Sequence, residues 1–370
     1  MIHEHIISGS IIYGDDFDVM EGYLVIKDGV VSEVATGEVD SVLKGIIAPA
    51  FINAHTHIGD SVAKDVNFDS LEALVSPGGL KHKILSETPK DELVSSMRSS
   101  LLDMRCCGTA AFADFREGGV TGVLALKEAC IRGVKPIILG RPDGDVERVL
   151  KITDGIGMSS TNDHPQDYLE MLAELTRKKD KLFAIHAGEA NSADIDDALK
   201  LDPDFLVHLT YADRKNLKMV ADKNIPVVVC PRSNFVTGVG CSWTRPPIEK
   251  MIELGITVAI GTDNVMLNSV NMFSEIEFVA KAFLRDDREV FTLCTLNGAK
   301  ALGLESEMGS IVEGKTAHIM IVDSESNNMK GVRNPISGIV RRARPDDIIA
   351  VIGGEKIYTQ NDYNRQDICG

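Results

Sequence analysis

The sequence predicts an α/β protein, a (β/α)8 TIM barrel with a small β-sandwich domain built from both chain ends. Three observations support this prediction. Short apolar runs alternate with amphipathic helical patterns through the middle of the 370-residue chain. Four of these runs stop at a histidine or an aspartate, and both chain ends are rich in short alternating strands while the middle is not. Barrels of this kind place their chemistry at the C-terminal ends of the strands.

The barrel is predicted over residues 49–305. The candidate strands are 45–53, 108–114, 136–140, 152–156, 182–186, 205–208, 226–230 and 257–262. Many of the connections have a helical pattern, as from Asp91 to Met104 and from Asp213 to Asp222. Eight strands with mostly helical connections are typical of this barrel, which needs about 250 residues. A doubly wound open sheet is the alternative, but no glycine-rich dinucleotide fingerprint is present.

The β-sandwich domain is predicted over residues 1–48 and 306–370. Asp28-Gly29 lies between two alternating runs, which is a strong hairpin signal. Apolar strands recur at 317–323, and a second hairpin is expected within 348–358. Because both chain ends are β-rich, the simplest assembly is one small domain made from both.

The run Phe51 to His57 ends in two histidines, His55 and His57, that are two residues apart. Side chains with this spacing point the same way on a strand. Two converging imidazoles suit a divalent metal ion. His3 and His5 have the same spacing, but they lie in a polar N-terminal segment and are interpreted as surface or sheet histidines.

Three more apolar runs end in groups that bind metals or transfer protons. They end at His186, at His208 and at Asp263, and Glu189 follows His186 by three residues. Any one of these could be a packed histidine or a helix N-cap. Four strand ends of this kind together favour a functional site over that interpretation. The sequence therefore predicts an active site at the C-terminal ends of the barrel strands.

Composition restricts the partners. The chain is 44% hydrophobic and 25% charged, as in ordinary globular proteins, and its net charge of −16 disfavours nucleic acid and anionic membranes. No run is long and apolar enough for a membrane span, and no signal peptide is visible. Seven scattered cysteines without a C-x-x-C pair favour reduced thiols and a cytoplasmic location. A small-molecule substrate is the expected partner.

These motifs resemble those of the amidohydrolase superfamily. More narrowly, they resemble its mononuclear-metal branch of deaminases and chlorohydrolases, which includes cytosine deaminase, S-adenosylhomocysteine deaminase and the triazine hydrolases. The resemblance lies in Asn53-Ala54-His55-Thr56-His57, His186-Ala187-Gly188-Glu189, His208 and Gly261-Thr262-Asp263-Asn264. It covers nearly the whole chain, since the split β-domain also fits. Ala50 departs from it, because the family usually has glycine there.

The resemblance implies one divalent metal ion, Zn²⁺ or Fe²⁺, held by His55, His57, His186 and Asp263. Three imidazoles and one carboxylate suit either ion. A binuclear site would want a lysine at the end of strand 4, but Lys151 lies before that strand. By analogy with relatives that associate, a homo-oligomer is an open alternative.

Three catalytic roles are also implied. Glu189 would protonate the ring nitrogen beside the attacked carbon, and Asp263 would take the proton from the attacking water. His208 would orient that water and stabilise the tetrahedral intermediate. The alternatives are a solvated loop carboxylate for Glu189, a packed strand histidine for His208 and a helix N-cap for Asp263.

Substrate contacts are predicted from position alone. The candidates follow strands 1, 2, 3 and 7 and are Lys81, His82, Asp114, Arg116, Arg141, Ser233, Asn234 and Thr237. Trp243 could line the pocket or simply pack. For the polar candidates the alternative is a structural role in loop hydrogen bonds or ion pairs.

The leading hypothesis is a metal-dependent hydrolytic deaminase. Metal-activated water would attack a ring carbon of an amino-substituted heterocycle, a base, nucleoside or related compound, and release ammonia. One alternative is a hydrolase that removes a halide or an alkylamine, or opens a cyclic amide. Another is an inactive metal-binding homologue. The residues leave these alternatives open.

Overall fold

Two β-sheets, built from different parts of the chain, organise the fold. The computed structural model describes residues 4–67, 69–70, 73–74, 78–239 and 245–359. The first sheet takes its strands from both chain ends: β1 (Glu4–Tyr13), β2 (Asp18–Lys27), β3 (Val30–Thr36), β4 (Leu43–Pro49), β14 (His318–Val322), β15 (Ile348–Gly353) and β16 (Lys356–Thr359). Their order across the sheet is β16-β15-β14-β4-β1-β2-β3.

This first sheet corrects the prediction of a β-sandwich. The seven strands form one continuous mixed sheet, because β4 pairs in parallel with β1 on one side and antiparallel with β14 on the other. Apolar side chains from both chain ends, such as Ile7, Ile47 and Ile319, are buried in one cluster. Burial of these side chains joins the two ends of the chain.

The second sheet is parallel and comes from the middle of the chain. Its strands are β5 (Phe51–His57), β6 (Thr109–Arg116), β7 (Lys135–Gly140), β8 (Gly155–Met158), β9 (Leu182–Ala187), β10 (Phe205–His208), β11 (Val227–Val229), β12 (Val258–Ile260) and β13 (Asp263–Asn264). Their order is β12-β11-β10-β9-β8-β7-β6-β5-β13. The strands are nearly all buried, as expected for a sheet covered on both faces.

The parallel sheet curls so that its ends meet. β12 pairs with β11 and β13 pairs with β5, yet only Gly261 and Thr262 separate β12 from β13. A Cβ on Gly261 would lie 2.7 Å from the backbone nitrogen of His55. Glycine at this position therefore lets the last strand approach the first, beside the predicted metal ligands.

Helices connect most of the parallel strands. They are α1 (Leu80–Glu87), α2 (Lys90–Cys106), α3 (Gly119–Ala129), α4 (Val146–Ile152), α5 (Gln166–Lys178), α6 (Ile195–Lys200), α7 (Arg214–Asp222), α8 (Pro231–Val236), α9 (Ile248–Glu253), α10 (Met272–Ala282), α11 (Asp287–Leu293), α12 (Leu296–Ala301) and α13 (Pro335–Arg341). Two match the predicted helical patterns closely, since α2 covers 91–104 and α7 begins after Asp213. The Asp213 side chain caps α7 by accepting a hydrogen bond from Asn216 N.

Two predicted strands differ from the structure. The predicted strand 45–53 is two strands in different sheets, β4 and β5, which meet at Ala50. The predicted strand 152–156 begins inside helix α4, which extends to Ile152, and β8 starts at Gly155. Thr153 Oγ1 donates to Val149 O and Gly155 O, so this side chain marks the change from helix to strand. An apolar run alone shows neither boundary.

The domain limits at 48/49 and 305/306 stay a prediction. The first sheet uses residues 4–49 and 318–359, but the apolar face of α13, with Ile336 and Ile339, shares a core with Phe291 of α11. His3 and Trp243 lie outside the described residues, whereas His5 lies on β1. Among the helices that the structure describes, none is both long and apolar enough to cross a membrane.

Candidate active site

The predicted site residues meet at one edge of the parallel sheet. His57 ends β5, His208 ends β10, His186 is the penultimate residue of β9, and Asp263 begins β13. All four, together with His55, are at most 8% exposed. Because these strands are parallel, their C-terminal ends lie at the same edge, which is where barrel enzymes assemble their sites.

Four ligand atoms lie at separations that suit one metal ion. Nε2 of His55 is 3.2 Å from Nε2 of His186 and 3.3 Å from Oδ1 of Asp263. Nε2 of His57 is 3.4 Å from Nε2 of His186 and 3.6 Å from Oδ1 of Asp263. Atoms bound at 2.0–2.2 Å around a tetrahedral ion are about 3.4 Å apart. These separations fit the predicted ligand set His55, His57, His186 and Asp263, called the His3Asp site below. The group with His208 in place of His57, whose ligand atoms all lie within 4.8 Å of one another, is able to bind a metal ion.

The outer nitrogens of two histidines have partners that favour metal binding. His186 Nδ1 lies 2.8 Å from Met158 O, and His57 Nδ1 lies 2.9 Å from Oε1 of Glu117. An acceptor at Nδ1 keeps the proton there and leaves the Nε2 lone pair free. Burial lowers the pKa of His57 to about 3 and that of His186 well below its ordinary value, so both rings are neutral, as metal ligands must be.

His208 also lies in this cluster, but its hydrogen bond differs. One ligand atom from each of His55, His186, His208 and Asp263 lies within 4.8 Å of the others. The Nδ2 amide of Asn234, which can only donate, is 3.3 Å from Nδ1 of His208. Nδ1 therefore accepts, and the ring proton stays on Nε2. This tautomer favours His208 as a hydrogen-bond donor beside a metal ion over a ligand of it.

Two of these residues have left-handed backbone conformations. The φ angle is 80° at His208 and 61° at Asp263. A side-chain-bearing residue in this region costs on the order of 1–3 kcal/mol, and such residues cluster at functional sites. The turns after β10 and at β13 thus hold two polar side chains in the site at a cost in backbone energy.

Asp263 is held by neutral donors as well as by histidines. Ser233 Oγ donates to Oδ2 of Asp263 at 2.5 Å, and Asn264 Nδ2 donates to Ser233 Oγ at 2.7 Å. Burial acts to raise the pKa of Asp263, but the hydrogen bond and charge of His55 hold it well below its ordinary value. The Oδ1 atom is thus left to face the histidines as part of an ionised carboxylate.

Glu189 and His208 lie next to the His3Asp site. Oε2 of Glu189 is 3.6 Å from Nε2 of His208. Burial raises the pKa of Glu189, and the neighbouring His208 offsets part of that increase. A carboxyl with a raised pKa keeps its proton at higher pH than an ordinary glutamate, so Glu189 can supply a proton.

A cavity of about 400 Å³ opens over these groups. Its volume is in the range of small-molecule sites. Its lining comes from the C-terminal ends of the strands and from the loops after them, and includes His57, Lys81, His82, Glu117, Arg141, Ser159, His186, Glu189, Asn191, His208, Thr237 and Asp263.

Four of the eight predicted substrate contacts, Lys81, His82, Arg141 and Thr237, line this cavity, and four, Asp114, Arg116, Ser233 and Asn234, do not. Asp114 is fully buried, where Oδ1 accepts from Ile58 N at 2.5 Å. Asn234 is also fully buried, with its amide on His208. The structure therefore does not bring Asp114 or Asn234 to the cavity surface; each makes a hydrogen bond to another part of the site instead.

Glu117 was not among the predicted site residues, although it lines the cavity. Its carboxylate contacts the Nζ of Lys81 at 2.8 Å in addition to His57. The sequence held a signal, because the apolar strand β6 ends in the charged pair Arg116-Glu117 followed by two glycines. The prediction includes only Asp114 and Arg116 at this strand end, whereas the next residue carries the carboxylate that reaches His57.

Comparison with known proteins gives a family and several relatives. The family model described as the amidohydrolase family matches residues 46–355. An uncharacterized protein of Methanocaldococcus jannaschii is 35% identical, over 93% of this chain and 96% of its own. A putative aminohydrolase of Methanothermobacter thermautotrophicus is 33% identical, over 93% and 96%. A 5-methylthioadenosine/S-adenosylhomocysteine deaminase of Thermoanaerobacter pseudethanolicus is 27% identical, over 88% and 84%.

Solved structures with the same fold have lower identity. An adenosine deaminase from Xanthomonas campestris with bound zinc has a TM-score of 0.76 at 16% identity, over 98% of this chain and 94% of that one. An atrazine chlorohydrolase from Arthrobacter aurescens complexed with zinc has a TM-score of 0.81 at 17% identity, over 96% and 95%. At this identity the likeness concerns the fold.

Proposed function

The chain belongs to the amidohydrolase family and is a hydrolase acting on carbon–nitrogen bonds other than peptide bonds, and on that premise we propose that it deaminates an amino-substituted heterocycle. The substrate class is a base, a nucleoside or a related compound. The reaction replaces an exocyclic amine by oxygen from water and releases ammonia.

One observation carries the proposal. A proton-donating carboxyl, Glu189, lies beside a His3Asp site and faces the same cavity. Hydrolytic loss of an amine from an aromatic ring needs water activated on one side and a proton delivered to the ring nitrogen on the other. Burial raises the pKa of Glu189, while that of Asp263 is held low, so one carboxyl can carry a proton while the other stays ionised.

The metal site supports the hydrolytic part. His55, His57, His186 and Asp263 would hold one Zn²⁺ or Fe²⁺, since both ions accept three imidazoles and a carboxylate. When bound, such an ion lowers the pKa of a coordinated water from 15.7 towards about 7. Asp263 then accepts a proton, and His208 donates from Nε2 to the oxygen that develops charge during attack.

Neighbouring groups determine what the cavity accepts. Lys81, His82 and Arg141 remain the proposed substrate contacts, because they line the cavity. Each supplies N–H donors to a small polar molecule. A small-molecule substrate fits a cavity of about 400 Å³, and a homo-oligomer stays a prediction.

A second candidate is hydrolysis of another leaving group from a similar ring. The structural likeness to atrazine chlorohydrolase favours it over opening of a cyclic amide. A binuclear cyclic-amide hydrolase would need a lysine at the end of the fourth strand of the parallel sheet, which is β8 in this chain. In this chain β8 ends Gly155-Ile156-Gly157-Met158, and Lys151 lies on α4, before the strand. An inactive homologue is disfavoured because the predicted metal ligands and Glu189 are all present.

The test is ammonia release by zinc- or iron-loaded protein across pyrimidines, purines, pterins, triazines and adenosine-type nucleosides. We expect at least one ring amine to be hydrolysed, with activity lost on chelation and restored by metal. Silence across the panel from protein with one metal ion per chain would overturn the deaminase proposal. The favoured alternatives would then be hydrolysis of a halide or alkylamine leaving group, or an inactive homologue.

A further inference from the structure

Glu117 lies at the centre of a buried group of charges beside the metal site. Its Oε1 atom is 2.9 Å from Nδ1 of His57 and 2.8 Å from Nζ of Lys81. Its Oε2 atom is 2.8 Å from Nη2 of Arg116. Each of the four side chains is at most 8% exposed. Both carboxylate oxygens therefore lie at ion-pair distance from nitrogen groups, and Oε2 also accepts a hydrogen bond from Arg116.

We propose that Glu117 is a positioning residue that fixes the metal-binding tautomer and ring orientation of His57, and that Arg116 and Lys81 hold it there. This inference rests on the metal site of the proposed function and not on the identity of the substrate. It assigns a role to a cavity-lining carboxylate that has no part in the proton transfers assigned to Glu189 and Asp263.

The chemistry of a neutral imidazole explains the role. Such a ring carries one N–H and one lone pair, and only the lone pair binds a metal. An ionised carboxylate beside Nδ1 stabilises a proton on that atom and would repel a lone pair there. The Nε2 atom, which points to His186 and Asp263, is then left with its lone pair. A carboxylate partner also makes the ligating nitrogen more basic.

The three histidines of the His3Asp site differ in the group that lies beside Nδ1. His186 has a neutral partner, the Met158 carbonyl, at 2.8 Å from Nδ1. Within the described part of the chain neither His55 Nδ1 nor His57 Nδ1 makes a hydrogen bond of good geometry, but His57 Nδ1 lies 2.9 Å from the Glu117 carboxylate, whereas the His55 ring packs edge-on against Phe115. His57 thus has the charged partner of the three. Removal of Glu117 should weaken one ligand and leave the other two unchanged.

Further contacts hold the Arg116 side chain beside the Glu117 carboxylate. Its Nε atom donates to the Glu117 backbone carbonyl at 3.2 Å, and Nη1 lies 3.6 Å from Oδ2 of Asp114. A Cβ on Gly59 would lie 2.1 Å from Nη2 of Arg116. Glycine at position 59 therefore leaves the room that this guanidinium fills.

Lys81 brings a second chain segment to the same carboxylate. It lies on α1, in the long connection after β5, and its Nζ also lies 3.3 Å from Oδ1 of Asp60. Lys81 is 5% exposed although it belongs to a loop helix. Its burial against Glu117 links this connection to the second metal histidine, and substitution of Lys81 should affect His57 through Glu117.

The test measures zinc affinity by competition with a chromophoric chelator. We expect Glu117→Gln to bind zinc 10–100-fold more weakly, the usual effect of losing such a partner. Glutamine keeps the size, but one of its two terminal atoms becomes a donor facing another donor. Lys81→Met should show a smaller loss in the same direction, because Arg116 still holds the carboxylate.

The matched control is Asp347→Asn. Asp347 is also a buried carboxylate, 5% exposed, but it accepts from Ser326 at 2.6 Å and Asn328 at 2.7 Å and does not line the cavity. Its loss can destabilise the fold without touching a metal ligand, so zinc affinity should equal that of the wild type. A second readout is nitrogen-15 NMR of histidine-labelled, zinc-loaded wild type, in which His57 should carry its proton on Nδ1.

Each outcome decides the inference. Wild-type zinc affinity in Glu117→Gln, an equal loss in Asp347→Asn, or His57 without a proton on Nδ1 would overturn it. If Glu117→Gln does not fold, the Lys81→Met titration and the wild-type NMR spectrum still decide. A wild type that binds no zinc or iron would overturn this inference and the metal part of the proposed function together. Zinc binding without ammonia release would count against the deaminase proposal alone.

Discussion

Glu117 and Glu189 line the same cavity in contrasting surroundings. Glu117 is close to three potentially cationic groups, those of Lys81, Arg116 and His57. Burial acts to raise its pKa, but the charge of Lys81 and the contact with His57 hold that pKa well below the ordinary value. Glu189 has one such partner among the described residues, His208, at 3.6 Å, and burial raises its pKa.

This difference teaches how one cavity can hold two glutamates with different tasks. Removal from water disfavours both charged forms, and the number of nearby cations decides which carboxylate stays ionised. The one that stays ionised can orient a histidine, while the one whose pKa is raised can carry a proton. Acid and base roles separate in this way when neighbouring environments push pKa values apart.

The largest expected effect on catalysis comes from removing the acid function of Glu189. Glu189→Gln should lower kcat by about 10²–10⁴-fold, the usual contribution of a positioned acid, while the bound metal stays at wild-type level. The measurements are ammonia release and metal content.

Glu275→Gln is the control. Glu275 is fully buried and its pKa is raised to about 7, mainly by burial, but it lies outside the cavity lining. Its kcat should stay close to wild type. Full turnover in Glu189→Gln would show that the acid assignment is wrong.

The second expected effect concerns pH. Because its folded pKa is raised, Glu189 stays protonated above the pH at which an ordinary glutamate ionises, and loses its proton as pH rises through the raised value. The rate should be full below that pKa and fall about tenfold per pH unit above it. The kcat profile of metal-loaded wild type should show this alkaline limb, and the residual activity of Glu189→Gln should lack it. An identical limb in both proteins would assign it to another group.

A smaller effect on kcat is expected from a change beside Asp263. This carboxylate also lines the cavity, and it accepts a hydrogen bond from a neutral donor, Ser233. Ser233→Ala removes the Ser233 hydroxyl from Oδ2, and a hydrogen bond to a charged group contributes about 1.5–3 kcal/mol. We expect kcat to fall roughly tenfold with KM nearly unchanged, because the serine holds a reacting group and not the substrate. Ser310→Ala is the control, since Ser310 donates to Asp15 at 2.6 Å outside the cavity. A rise in KM alone would place Ser233 on the substrate instead.

The smallest effect tests a buried cation that has an aromatic partner. Arg105 is fully buried, with its guanidinium 4.4 Å from the centre of the Tyr358 ring of β16. A desolvated cation–π contact contributes about 2 kcal/mol. Tyr358→Leu should therefore lower the free energy of unfolding by about 1–2 kcal/mol. Tyr358→Phe, which keeps the ring, should lose less in denaturant titrations, and metal-loaded activity should be unchanged in both. Equal losses in the two variants would contradict a role for the ring face.

Much of the metal site could be predicted from the sequence because its signals are local. His55 and His57 are two apart on one strand, and Glu189 follows His186 by one short turn, so their spacing already indicates a shared edge. The strand ends that supply His208 and Asp263 were visible as apolar runs that stop at a polar residue. The parallel sheet followed from the alternation of strands and helical patterns.

Positions within the site were harder to predict, because they depend on which way a side chain turns at a strand end. Asp114 was expected in the cavity but lies beneath it, whereas Glu117, three residues later, faces the histidine. Strand alternation would give Asp114 and Arg116 the same face, and it does not apply to Glu117, which follows the last residue of β6.

The sequence by itself determined the alternation of strands and helices, the set of histidines and carboxylates, and the family resemblance, because each is written in residue order and spacing. Only the tertiary structure decided that the first and last parallel strands meet across Gly261. It alone also decided that the chain ends form one sheet, and that Lys81 and Arg116 converge on Glu117. The physical reason is that these contacts join residues far apart in the chain, and burial and charge pairing in three dimensions select them.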